Sequence, residues 1–123
     1  MLVVVVAAAG CAREPLDEVC PALAAGDLAV SEIRGPQTGT DTWGQWIEVY
    51  NTTAAELDLA GLDLSLRKLD GSGQADILVR RAVRVEAGGY AVLGRFPADR
   101  LPEHADYGFE YDFGSSIYTD GGV

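Results

Sequence analysis

Gly44-Gln45-Trp46-Ile47-Glu48-Val49-Tyr50-Asn51 is the stretch on which the reading of the fold turns. Its aromatic and β-branched side chains suit a pleated, half-buried surface, and it runs into Asn51-Thr52-Thr53, whose side chains bond their own backbone and favour a turn. The stretch therefore reads as a central strand. Alternation puts Trp46, Glu48 and Tyr50 on one face and Gln45, Ile47 and Val49 on the other, so Glu48 lies between two aromatics on a sheet surface.

The chain on either side carries the same period. Upstream, residues 28–33 read as a strand that gives way to a surface loop at 34–42, rich in glycine and threonine with one proline. Downstream, Leu57 and Leu59 point inward before Ala60-Gly61 bends the chain. Leu62, Leu64 and Leu66 then alternate with Asp63, Ser65 and Arg67, the clearest sign of one buried and one wet face. Asp70-Gly71-Ser72-Gly73 supplies hairpin chemistry, and Ile77/Val79 and Val83/Val85 continue as inward pairs on either side of Arg80-Arg81. Ala87-Gly88-Gly89 makes a further turn before a strand at 90–94.

Four of these segments in order, 27–33, 44–51, 57–65 and 83–93, resemble the lamin tail domain. This is the immunoglobulin-like β-sandwich at the end of nuclear lamins, found also in secreted bacterial proteins. The resemblance spans roughly residues 27–94. It implies an all-β, immunoglobulin-like sandwich in which Trp46, Glu48, Asn51, Gly61, Gly88 and Gly89 are structural members of the motif. It also implies further strands after the Gly-Gly-Tyr segment, and the acidic, aromatic stretch from Asp106 ends at Asp120-Gly121-Gly122-Val123, a turn after which another strand is expected. The domain, assigned to 27–123, is thus expected to lack its last strands and to be only marginally stable until a partner chain or the missing segment completes the sheet.

A chain of 123 residues holds one domain at most, and its net charge of −10 disfavours phosphate backbones, so no direct nucleic-acid binding is expected. Leu2-Val3-Val4-Val5-Val6-Ala7-Ala8-Ala9 is far shorter than the ~20 residues of a membrane-spanning helix and resembles the apolar region of a signal peptide. Ala8-Ala9-Gly10-Cys11 resembles a bacterial lipobox, in which the cysteine after the cleavage site receives acyl chains. The expectation is a lipoprotein signal at 1–10, lipidation at Cys11 and a tether at 11–26. Because no Lys or Arg precedes the apolar run, the true start is expected upstream; the alternative to the signal reading is a buried N-terminal strand of valines. With Cys11 lipidated, Cys20 has no partner in the chain; otherwise the two could close a short loop in an oxidising compartment.

Little here has the pattern of catalytic machinery. The single histidine, His104, sits in a Pro-flanked acidic segment and reads as a solvent-exposed loop residue, and no Gly-x-Ser-x-Gly elbow or phosphate-cradling loop is present. Glu48 could pair with Asp41, Asp63 or Glu32 for glycoside hydrolysis or a hard metal, but a structural role near a loop is the simpler reading, and Asn51 is expected to close its turn with its amide. Tyr107, Phe109, Tyr111 and Phe113 alternate as one apolar strand face, a place for partner binding if left unpaired. The acidic residues among them offer oxygen ligands without the spacing of a specific calcium loop. The function expected is a non-enzymatic extracytoplasmic binding or scaffolding module of a surface-anchored bacterial lipoprotein, with no cofactor and a protein or cell-envelope partner. The alternatives are an N-terminal accessory domain of a longer secreted hydrolase and a calcium-dependent adhesion module.

Overall fold

The computed structural model describes residues 20–109 and the backbone of Gly121 and Gly122. Nine strands and no helix occur among them. They are β1 (Leu28–Arg34), β2 (Trp46–Asn51), β3 (Leu57–Asp58), β4 (Asp63–Lys68), β5 (Ala75–Leu78), β6 (Arg84–Val85), β7 (Tyr90–Gly94), β8 (Tyr107–Gly108) and β9 (Gly121–Gly122). Three sheets result, ordered β1-β2-β7-β8, β3-β6 and β5-β4-β9. One buried cluster joins them, so the chain is all-β and sandwich-like.

The stretch that opened the sequence is central, as its composition requires. β2 pairs antiparallel with β1 on one side and β7 on the other, and its Ile47 and Val49 lie opposite Leu93 and Ala91. All four side chains are buried. Leu64 and Leu66 of β4, Ile77 and Val79 at β5, Val83, Val85 and Leu59 form the rest of the cluster with Tyr107 and Phe109. Each fully buried side chain of this size contributes about 1.5–3 kcal/mol of transfer free energy, which makes this cluster the principal force holding the sheets together.

The β4–β5 hairpin turns where its chemistry placed it. Asp70 accepts from the Ser72 amide at 2.8 Å, Gly71 takes φ 83°, and the Lys68 amide donates to the Ser72 carbonyl at 3.0 Å. β1 carries one extra residue at Ser31, since Val30 lies opposite Val49 but Glu32 lies opposite Glu48. This bulge shifts the strand's parity, so that Ile33 falls on the same face as Val30.

The segment after β7, read as an apolar strand face that is free for a partner if left unpaired, is packed on the core as far as the structure describes it. β8 returns parallel to β7, and Tyr107 and Phe109 are buried in the cluster. The Tyr107 hydroxyl donates to the Leu78 carbonyl and accepts from the Arg80 amide, both at 3.1 Å, while Arg81 stands over its ring at 5.4 Å. The reason is the connector 95–106, which carries the chain back along the sheet edge so that the aromatic face meets the core. Tyr111 and Phe113 lie outside the described residues, as do the expected signal at 1–10, Cys11 and most of the expected tether at 11–26. Cys20, within them, is an exposed free thiol.

One expectation is corrected: His104 lies in a loop as read, but it is half-buried rather than solvent-exposed. Its ring lies 5.3 Å from that of Trp43 and 5.6 Å edge-on from that of Phe96, and its Nε2 is 3.1 Å from the Trp43 carbonyl. Phe96 is itself wedged among three glycines from separate segments. A Cβ at Gly44 would stand 2.4 Å and one at Gly94 2.0 Å from an edge carbon of the Phe96 ring, and one at Gly108 2.5 Å from the Phe96 carbonyl.

Candidate functional site

The polar residues of the motif are engaged within the fold. Asn51, with no exposed surface, is a hub: its amide nitrogen donates to the carbonyls of Ala55 at 2.7 Å and of Val85 and Glu86 at 3.0 Å. Its carbonyl accepts from the Thr53 amide at 2.9 Å and the Thr53 hydroxyl at 2.8 Å. One side chain thereby ties the turn after β2 to the end of β6, the role its place in the sequence suggested. Gly88 takes φ 67° in the turn before β7, Gly61 takes φ 84° in the bend before β4, and a Cβ at Gly89 would press to 3.0 Å from the Glu86 carbonyl.

Glu48 and Trp46 occupy the outer face of the four-stranded sheet with Tyr50, whose ring meets that of Tyr90 at 4.8 Å. Glu48 Oε1 accepts from the Ser31 hydroxyl at 2.8 Å. Of the three carboxylates considered as its neighbours, only Glu32 lies opposite it. Asp63 belongs to β4 in the other sheet, and Asp41 is held by Arg34. The Trp46 indole nitrogen is buried and has no hydrogen-bond partner among the described residues. No three His, Cys, Asp or Glu side chains gather to hold a metal ion among the described residues. Glu110 and Asp112, offered as calcium ligands, lie outside them.

Arg34 organises the loop that ends β1. Its Nη1 donates to both oxygens of Asp41, at 2.9 and 3.0 Å, and to the Gly44 carbonyl. Asp41 also accepts from the amides of Trp43 and Gly44 at 3.2 Å. Withdrawal from water acts to raise its pKa, but the Arg34 hydrogen bond, the two amides and the guanidinium charge outweigh this and hold the carboxyl below its ordinary value. The result is a fixed platform on which Trp43 stands exposed over His104.

A groove of about 570 Å³ lies between β1 and β4, lined from one sheet by Leu28, Val30 and Val49 and from the other by Asp63, Ser65 and Arg67 among others. Val30 and Ile33 pair with core residues Val49 and Ile47 and so face inward, yet 43% and 44% of their surfaces are exposed. Their partners across the strand are 2% and 0% exposed. The inward face of β1 is therefore only partly covered at these two positions. Sequence reasoning missed the groove, since Val30 and Ile33 read there as ordinary strand residues. It missed the Arg34–Asp41 pair as well, for which two opposite charges either side of a Gly-Pro turn were the available signal.

Comparison of the chain with protein-family models, with curated proteins and with solved structures found no match.

Proposed function

We propose that this chain is a non-enzymatic binding or scaffolding module, built as an immunoglobulin-like, lamin-tail-like sandwich and carried outside the cytoplasm by a bacterial lipoprotein anchored at Cys11. The observation that carries the binding reading is the exposed apolar flank of β1: Val30 and Ile33 face inward yet keep 43% and 44% of their surfaces exposed, and Val30 lines the groove beside Leu28. Continuous apolar surface of this kind on a protein of net charge −10 marks a place where another chain settles. The sheet order, with β2 central and antiparallel to both neighbours, supports the sandwich assignment. The non-enzymatic reading draws support from the motif's polar groups. Asn51 is spent on backbone carbonyls, Glu48 on Ser31, and His104 between two aromatic rings.

Two measurements test it. A photo-crosslinking residue placed at Val30 in the producing cell should trap one discrete protein, while the same residue at Asp70, on the far hairpin tip, should not. Equal labelling from both positions, or none from Val30, would end the binding reading. Metabolic labelling with a fatty-acid analogue should mark the wild type and not Cys11→Ala; label in both or in neither would remove the anchor.

A further inference from the structure

The outer face of the four-stranded sheet departs from the polar surface that a solvent-facing sheet presents. Along β2 it carries Trp46, Glu48 and Tyr50 in turn, and Val92 and Tyr90 of β7 stand opposite Glu48 and Tyr50. Tyr90 keeps 58% of its surface exposed, and its ring meets that of Tyr50 at 4.8 Å with 39° between the planes. On the β1 side the register sets Glu32 directly opposite Glu48. Two like charges so placed repel each other and cost the sheet stability.

No cation of the described residues offsets this pair. Glu48 Oε1 accepts from the Ser31 hydroxyl at 2.8 Å, and Glu32 has neither a hydrogen bond nor an ion pair among the described residues. Arg34, the next residue of β1 on this face, is spent on Asp41 and the Gly44 carbonyl. Arg95 pairs through its backbone with Gln45 and so continues the alternation onto the other face.

We infer that this face docks an arginine side chain of a partner protein, its guanidinium between Glu32 and Glu48 and its aliphatic stem across the Tyr50 ring. The inference rests on the binding reading above and gives that module a second contact surface, on the opposite face of the sheet from the groove. Charge complementarity names the occupant: two facing carboxylates on a chain of net charge −10 call for a cation between them. The planar guanidinium forks toward two carboxylates at once and also stacks on aromatic rings, whereas an ammonium is a point charge. Residues two apart on a strand lie about 7 Å from each other, so the stem of an arginine held at Glu48 reaches Tyr50.

Other occupants leave something unmet. A hard metal ion takes about six to eight oxygen ligands, and no three acidic, His or Cys side chains gather among the described residues. A neutral glycan could stack on the tyrosines but would leave the two carboxylates uncompensated. A second copy would bring another −10 to the contact.

The probe is a blocked pentapeptide with arginine at its centre between serines and glycines. Counterparts carry lysine, or citrulline, which keeps the shape without the charge. Each is titrated into the intact chain and followed by NMR. The arginine peptide should bind saturably, about threefold tighter than the lysine peptide and about tenfold tighter than the citrulline peptide, with shifts centred on Glu32, Glu48 and Tyr50. Its affinity should fall as salt rises from about 50 to about 300 mM. Free arginine, whose own carboxylate meets an acidic face, should bind about tenfold more weakly than the peptide.

Glu32→Gln removes one of the two repelling charges. It should weaken arginine binding about tenfold and raise the melting temperature by about 1–6 °C, whereas a purely structural Glu32 would lower it. Glu48→Gln, whose amide oxygen still accepts from Ser31, should weaken binding to the same extent. No saturable binding, citrulline or lysine binding as tightly as arginine, shifts centred elsewhere, or a lowered melting temperature in Glu32→Gln overturns the inference. Free arginine binding as tightly as the peptide would assign the site to the amino acid, and self-association that shifts the same resonances would assign it to a second copy; either overturns it. The two surfaces fail separately: a failed crosslink at Val30 beside a positive titration removes the groove, and a failed titration beside a Val30 crosslink removes the arginine site and leaves the binding module standing.

Discussion

Replacing Asn51 by aspartate alters almost no volume and reverses the chemistry of a buried hub. The native amide gives its hydrogens to the carbonyls of Ala55, Val85 and Glu86. A carboxylate there would turn lone pairs toward three carbonyl oxygens, so Asn51→Asp can fold only as the protonated acid, with a pKa raised above its unfolded value of ~3.9. The sign follows from linkage: the deficit is smallest below ~3.9, where both states are protonated, and grows by about 1.4 kcal/mol per pH unit up to the folded pKa. Between pH 4.5 and pH 7 the added cost is therefore about 3 kcal/mol if the folded pKa lies above that range. To it is added about 1–3 kcal/mol at every pH, since one O–H serves where two N–H groups served three acceptors. Against the 5–15 kcal/mol typical of a domain, the variant at pH 7 should be close to unfolding. Urea unfolding followed by tryptophan fluorescence, wild type against variant at the two pH values, measures both parts. Equal deficits at pH 4.5 and 7, or a deficit below about 1 kcal/mol at pH 7, would refute the claim that Asn51 acts as a donor hub.

Further perturbations probe other parts of the frame. Gly94→Ala drives a methyl into the Phe96 ring and should cost about 1–3 kcal/mol, with Phe96→Leu recovering part of it; strictly additive costs in thermal unfolding would show that the two do not touch. The Asp41 carboxyl should titrate below the ordinary carboxylate range by NMR and return toward it in Arg34→Gln, and the stability it adds should be present above the unfolded pKa and lost as pH falls through the lowered folded one. An unshifted midpoint in the wild type would dissolve the pair. A calcium-dependent adhesion module would melt several degrees higher in calcium than in chelator, and equal melting temperatures would remove that reading.

The alternation of Ile47 and Val49 in β2 and of Leu64 and Leu66 in β4 was legible because a period of two survives wherever one face is buried. Asn51 was legible for a different reason: a turn-forming amide at a strand end has few other uses. The groove was not. Val30 looks like any inward strand residue, and its 43% exposure depends on how the sheets pack, which no local pattern encodes. Ile33 was hidden further, because simple parity puts it on the face opposite Val30 and the bulge at Ser31 puts it back. His104 misled because the rings that enclose it come from Trp43 and Phe96, and no local pattern announces a contact across 61 residues. β8 is only two residues long, too short for a period to register.

Phe96 and its three glycines also set a timetable. Gly44 precedes β2, Gly94 ends β7 and Gly108 ends β8, so the ring is clasped only after all three segments have been made. About 40 residues separate β2 from the strand it pairs with in β7, which at ~5–20 residues per second of synthesis leaves Ile47 and Val49 without that neighbour for ~2–8 s. Such long-range pairing also folds slowly, on the scale of milliseconds to seconds. Ile47 and Val49 therefore stay open to solvent or to a chaperone until β7 has emerged, and the core closes only after most of the described residues have been made.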